Sequence, residues 1–201
     1  MSNFKWYNEI GGFMYTIKEN IENTIIINKS KFITYIIKIK NEEEALNKLK
    51  ILKEKYKDAT HHCYSYITGN TKRFNDDGEP GGTAGMPILN VLENNNLTNI
   101  LCVVIRYFGG IKLGAGGLVR AYTKSVTEAL LNTEIIEIKK GYKITIEFDY
   151  EQVKYIDNLL KNNIILNKEF NDKITYTFLI EEKEEEKINN LNIKNKENIL
   201  F

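Results

Sequence analysis

Two hydrophobic periods alternate along the chain, and each change of period marks an element. Residues 24–28 and 31–40 are rich in Ile and aromatic side chains and are interrupted by Asn28-Lys29-Ser30, the pattern of a hairpin or two adjacent strands. Residues 42–57 switch to helical spacing. Glu42, Glu43 and Glu44 suit a helix start, and Ala45, Leu46, Leu49, Leu52 and Tyr56 recur on one face. Residues 60–68 alternate as a strand that stops at Gly69-Asn70, residues 76–85 form a polar, Gly-rich loop, and residues 87–93 suit a short helix. Residues 101–108 are a continuous apolar run closed by Gly109-Gly110, as expected of a strand buried on both faces. From 115 to 131, Leu118, Tyr122, Val126, Ala129 and Leu130 mark a second long helix. The last sixty or so residues repeat the alternation more simply, with a strand at 142–150, a helix at 152–162, strands at 164–170 and 174–181, a short helix at 184–191 and room for a final strand. That order suggests a ferredoxin-like α+β sandwich. No internal repeat of 20 to 50 residues is present.

Composition narrows the class. The chain has 201 residues, 42% of them hydrophobic and 27% charged, which excludes wholesale disorder and a membrane-protein composition and allows a core without disulfides. Cys63 and Cys102 form no CxxC pair, so neither a disulfide framework nor a thiolate zinc site is expected, and a reducing compartment fits. The net charge of +1 excludes a generic polycationic coat for nucleic acid but leaves room for a local basic patch. Charge is uneven: residues 1–140 carry 19 Lys and Arg against 15 Asp and Glu, and residues 141–201 carry 9 against 12. The sign changes where a new strand pattern begins, at Gly141. We therefore expect an N-terminal extension at 1–14, a first domain at 15–138 and a second at 139–201. The opening residues lack the apolar run of a signal peptide, Met14 reads as a second start that leaves 1–13 outside the core, and no membrane span is expected, so the reading is cytoplasmic.

Ten of the 13 glycines and both prolines lie between residues 69 and 117, and so do the chemical candidates. Asp76, Asp77 and Glu79 stand on a loop that Gly78, Gly81, Gly82 and Gly85 let fold tightly, a set suited either to a hard cation or general base or to turn formation alone. The calcium-loop spacing is absent. Further on, a buried strand runs through Gly109, Gly110, Gly114, Gly116 and Gly117 into a helix, an arrangement that aims free backbone N–H groups at an anion. Arg106, Lys112, Arg120 and Lys124 add positive charge, and Tyr107 or Phe108 can stack. The spacing is neither GxxxxGK[ST] nor a clean GxGxxG, and the same glycines serve equally for close packing of the helix on the sheet. His61, His62 and Cys63 alternate across a strand and so cannot chelate one ion together; His61 and Cys63 share a face, and His61 is the one we place near a cleft.

Three segments, ATHHC at 59–63, DDGEPGGTAGMPIL at 76–89 and VVIRYFGGIKLGAGGLVRAY at 103–122, resemble in order and spacing the signature blocks of the YigZ/IMPACT family. The resemblance covers the bulk of residues 15–130, and the tail from 141 is similar, more loosely, to the C-terminal domain of bacterial members. Gly81 stands where the family often has Ser or Ala, a position that asks only for a small residue. The resemblance implies an α+β chain of two domains, the first like domain 2 of ribosomal protein S5 and the second ferredoxin-like, as in the last domains of elongation factor G. It also implies a link to translation, because the eukaryotic member binds the activator of the eIF2-alpha kinase that senses amino-acid starvation.

The leading expectation is a non-enzymatic cytoplasmic protein that binds RNA or a ribosome-associated partner and regulates translation or its stress response, with no cofactor, metal or catalytic residue. Its anion or nucleic-acid site comprises Arg106, Tyr107, Gly109, Gly110, Lys112, Gly114, Gly116, Gly117, Arg120 and Lys124. The alternative is an enzyme acting on a nucleotide or phosphorylated substrate across an acidic cleft of His61, Asp76, Asp77 and Glu79. A third reading is a protein–protein adaptor with an apolar groove.

Overall fold

The computed structural model describes residues 14–201; of the extension expected at 1–14, residues 1–13 lie outside the described residues, and Met14 belongs to the first strand. Contacts divide the chain into two units, with the division after Glu137.

In the first unit, β1 (Met14–Ile17) precedes a hairpin of β2 (Ile21–Ile27) and β3 (Ser30–Lys38). Ile27 pairs with Ser30, and Asn28 and Lys29, at φ 45° and 65°, form the two-residue turn. Positive φ at both turn residues matches the right-handed twist of the flanking strands. Helix α1 (Glu42–Lys55) starts where the N-cap Asn41 Oδ1 accepts from Glu44 N at 2.9 Å, satisfying one free N–H of the first turn, and Glu44 Oε2 accepts from Lys40 N at 2.9 Å, tying the helix start to the residue before the cap. After it come β4 (His61–Thr68), β5 (Thr71–Asn75), α2 (Gly85–Asn94), β6 (Ile100–Tyr107), α3 (Gly114–Leu130) and β7 (Ile135–Ile138).

Five strands form an antiparallel sheet in the order β2-β3-β6-β4-β5, and β1 pairs with β7 in a two-stranded sheet. The central β6 is buried on both faces, as its apolar run requires. Cys102 and Val104 meet α2 and α3 together with Phe32, Ile36 and Cys63. Leu101, Val103 and Ile105 meet α1 through Leu49 and Leu52. Strands β1, β5 and β7 escape the hydrophobic pattern: two are four residues long, and β5, reading TKRFN, is a polar edge strand.

The second unit runs β8 (Lys140–Phe148), a 3-10 turn (Tyr150–Gln152) leading into α4 (Val153–Leu159), β9 (Ile164–Phe170), β10 (Ile174–Glu181), a 3-10 segment (Glu182–Ile188) and β11 (Ile193–Leu200). Its sheet is antiparallel in the order β11-β8-β10-β9. Ile144, Ile146, Ile156, Ile174, Tyr176 and Phe178 make its core. Where the sequence predicts an α-helix at 184–191 the structure has the tighter 3-10 form. There Glu184 and Lys187, three positions apart and so eclipsed in the 3-10 form, make an ion pair. Among the described residues no helix is long and apolar enough to cross a membrane.

Candidate functional site

The acidic loop between β5 and α2 is built around its own carboxylates. Asp76 Oδ2 accepts from Gly82 N at 2.8 Å, and Oδ1 accepts from Ala84 N at 2.9 Å and Gly85 N at 2.8 Å. No side chain within the first turn caps α2, so Asp76 reaches across the loop to do so. Asp77, at φ 43°, accepts from His62 N at 2.7 Å through Oδ2 and from Lys53 Nζ at 2.9 Å through Oδ1. Partial burial alone would raise its carboxyl, but the Lys53 ammonium and the His62 N–H outweigh this and hold it below the usual carboxylate range.

Glu79 goes furthest inward. Its side chain is 3% exposed, and Oε1 accepts from Arg106 Nη1 at 2.6 Å and from the Tyr122 hydroxyl at 2.8 Å. His61 Nε2 stands 3.8 Å from Glu79 Oε2, while its Nδ1 is bonded to the Asp77 carbonyl at 2.8 Å. Cys63 Sγ lies 2.9 Å from the Asp76 carbonyl and 3.2 Å from the Tyr122 hydroxyl. Burial pushes its thiol up to about 12, which makes it a packed core group rather than a nucleophile. Strand alternation places His61 and Cys63 on this side, whereas His62 turns away and bonds the Tyr56 carbonyl at 3.0 Å. Among the described residues no three His, Cys, Asp or Glu side chains are grouped to hold a metal ion.

Arg106 joins this loop to the second candidate. Its Nη2 donates to Ser30 Oγ at 3.3 Å, its guanidinium lies 5.5 Å from the ring centroids of both Phe32 and Phe108, and its Nε is buried without a hydrogen-bond partner. Ser30 Oγ also accepts from Gly109 N at 3.2 Å. A Cβ at Gly109 would lie 2.0 Å from the Lys29 carbonyl carbon, so only glycine lets the loop run against the β2–β3 turn. That approach sets the exposed Lys29 beside the Gly-rich loop.

Beyond Gly110, at φ 84°, the chain turns into α3. No side chain caps its first turn and no acidic residue lies in it, which leaves N–H groups and the positive helix end open. They border a cavity of about 230 Å³ lined by Glu79, Pro80, Arg106, Phe108, Lys112, Leu113, Gly114, Ala115 and Leu118.

The structure thus brings Arg106, Lys112 and Gly114 to one cavity, with Gly116 and Gly117 in the same helical turn and Gly109 and Gly110 supporting the loop. Arg120 follows one turn later and leans back, with Nη1 3.5 Å from where a Gly116 Cβ would stand. Two predicted members fall elsewhere. Tyr107 packs on the α1 side of the sheet and donates to Asp58 at 2.9 Å, because it is the strand neighbour of Arg106. Lys124 is ten residues into α3, outside the cavity lining, and pairs with Glu128 at 3.4 Å. The acidic set His61, Asp76, Asp77 and Glu79 does gather at one end of the sheet, its carboxylates engaged with backbone N–H groups, Lys53, Arg106 and Tyr122. Sequence reasoning did not single out Lys29, Ser30, Pro80 or Leu113 for the site, or Tyr122 beyond its place on a helix face. Ser30 lies 76 and 79 positions from its two partners, a proximity that the strand order creates and no local pattern announces.

Comparison with known proteins places the chain. Residues 28–130 match the model of the Impact N-terminal domain. The chain is 41% identical over 175 residues to IMPACT family member YvyE of Bacillus subtilis, covering 85% of this chain and 81% of that one. It is 37% identical over 139 residues to IMPACT family member YigZ of Escherichia coli, covering 67% and 68%. A crystal structure described as that of a hypothetical protein superposes with a TM-score of 0.62 at 29% identity, covering 86% of this chain and 87% of that one, so the mixed α/β fold is shared over most of both chains. The segment of residues 28–130 spans the turn, the acidic loop, β6 and the whole of α3, and on these grounds the chain belongs to the IMPACT family.

Proposed function

We propose that this protein is a non-enzymatic cytoplasmic regulator of translation that binds RNA of the ribosome or its associated factors through the Gly109–Gly117 loop. The observation that carries the reading is the uncapped start of α3, open onto a cavity that Lys112, Arg106 and Phe108 line. Backbone N–H groups and the helix dipole favour a phosphate there, Lys112 and Arg120 supply exposed positive charge, and Phe108, 46% exposed, offers a ring on which a base can stack. The resemblance to a family whose eukaryotic member acts in translational control supports the biological setting. The loop carboxylates brace the fold: Asp76 caps α2, Asp77 ties β4 to α1, and Glu79 anchors Arg106.

At a finer level we propose two domains, a first at 15–138 that is S5-domain-2-like and a second at 139–201 that is ferredoxin-like. The strand order β11-β8-β10-β9, with a helix between its first two strands in sequence and a 3-10 segment before its last, supports the second assignment.

Co-sedimentation with purified ribosomes tests the function. The protein should pellet with ribosomes at low salt, leave the pellet as salt rises, and leave it after nuclease digestion of accessible RNA. A protein that stays in the supernatant at low salt contradicts the proposal.

A further inference from the structure

The free edge of a sheet is a row of unpaired backbone donors and acceptors, and folded chains protect such edges with charge, bulges or brevity. The other edge strands here are protected in that way. Strand β5 carries Lys72 and Arg73, β9 and β11 carry lysines and a register shift against their neighbours, and β1 and β7 are four residues long. Strand β2 differs. It is seven residues long, reads IENTIII, pairs with β3 without a register shift and contains no Lys, Arg or Pro.

The hairpin decides which groups of β2 are free. Ile27 and Ser30 flank a two-residue turn and so form a hydrogen-bonded pair, and alternation along the ladder makes Ile25, Asn23 and Ile21 bond to β3 in the same way. The N–H and C=O groups of Glu22, Thr24 and Ile26 therefore point away from the sheet, and none of them has a partner among the described residues. The side chains of these three are exposed on the α1 side, Ile26 at 73%, whereas Ile21, Ile25 and Ile27 lie partly buried against the core under α3.

Such a strand fits a second copy of itself. Set antiparallel about a twofold axis at Thr24, all seven residues find places: Thr24 opposite Thr24, Glu22 opposite Ile26, Asn23 opposite Ile25 and Ile21 opposite Ile27. The outward residues of the two copies then face one another and form about six backbone hydrogen bonds. On the α3 side the isoleucines of both copies meet across the seam. On the α1 side the charges are complementary. Lys31 is the β3 neighbour of Ile26, so Glu22 of the second copy stands two strand spacings, about 10 Å, from it, within reach of the two extended side chains across the exposed Ile26. Within its own chain Glu22 faces the Tyr35 hydroxyl, and neither Glu22 nor Lys31 makes an ion pair among the described residues. A segment of another protein can use the same free backbone groups, but a second copy satisfies both charges twice by symmetry.

We infer that this protein forms a symmetric dimer in which β2 pairs antiparallel with β2 of a second copy about Thr24, making the two sheets continuous.

Sedimentation of the full-length protein from micromolar to sub-millimolar concentration tests the inference. The wild type should pass from monomer to dimer as concentration rises. Thr24→Glu changes an exposed side chain, sets like charges opposite each other at the axis between the two Glu22 side chains, and should weaken the dimer about fivefold or more. Glu22→Lys and Lys31→Glu each set two like-charge pairs across the seam and should weaken it about tenfold. An equal mixture of these two variants brings opposite charges together again and should recover the dimer, an outcome that loss of folding in either variant does not produce. A wild type that stays monomeric throughout overturns the inference. A dimer that Thr24→Glu leaves intact also overturns it, because the contact then lies on another surface, and so does a mixture of the two charge variants, each shown to be folded by its thermal transition, that stays monomeric. The RNA reading stands or falls separately from all of these results.

Discussion

Glu79 holds the two glycine-rich loops together, and the consequences of removing it follow from what it touches. Glu79→Gln leaves Arg106 charged and buried with its ion pair gone, and breaking one side of such a pair costs about 3–5 kcal/mol. Denaturant unfolding should show a loss of that size. An unchanged midpoint would mean that Arg106 finds another partner. Asp77 gives a pH signature. Its folded carboxyl lies below the ordinary value, so the unfolded chain binds the proton more readily. The stability it contributes is present above about pH 4, the ordinary aspartate value, and is lost as pH falls through the folded value. Asp77→Asn should flatten the fall in stability below about pH 4 relative to the wild type, and parallel acid-unfolding curves would contradict this. At this scale the sequence singled out the charged residues of the loop and left their roles open. Asp76, Asp77 and Glu79 stood out by charge and spacing, but their bonds to Gly85, Lys53 and Arg106 depend on elements far away in the chain.

At the scale of elements, the turn and the Gly-rich loop depend on each other. Gly109→Ala would drive a Cβ into the Lys29 carbonyl, and overpacking against backbone costs about 3 kcal/mol or more, displacing the β2–β3 turn. Gly110→Ala meets open space and only the penalty of a positive φ, about 1–2 kcal/mol. Thermal unfolding of the two variants should separate them in that order, and the reverse order would refute the close approach at Gly109. The long periodic elements were legible: α1, α3, β6 and the alternation of the last third follow from apolar spacing alone. The short and polar ones were not. β5 has too few apolar positions to signal a strand, and the segment Glu182–Ile188 has one apolar residue, Ile188, so apolar spacing does not tell the α form from the 3-10 form there. Tyr107 shows the limit from another side: it adjoins Arg106 in sequence, and the pleat of β6 sends it to the opposite face.

For the whole molecule, each unit carries its own core, one around Phe32, Tyr122 and Val104 with a second under α1, and the other around Ile144, Tyr176 and Phe178. A chain ending at Ile138 should therefore unfold cooperatively on its own, and the remaining 63 residues, a length at which burial is marginal, should be the less stable piece. Calorimetry of the two fragments checks this, and a shortened chain without a cooperative transition contradicts it. Because the cavity and the start of α3 lie within the first unit, the RNA-binding reading makes one demand above the others. Fluorescence anisotropy of a labelled single-stranded RNA, titrated with wild type and with Lys112→Ala over a range of salt, meets it directly. With Lys29, Lys112 and Arg120 near phosphates, log affinity should fall against log salt with a slope of about −2, and Lys112→Ala should bind more weakly with the slope reduced by about 0.7. Binding that is independent of salt, or identical in the two proteins, would contradict the account.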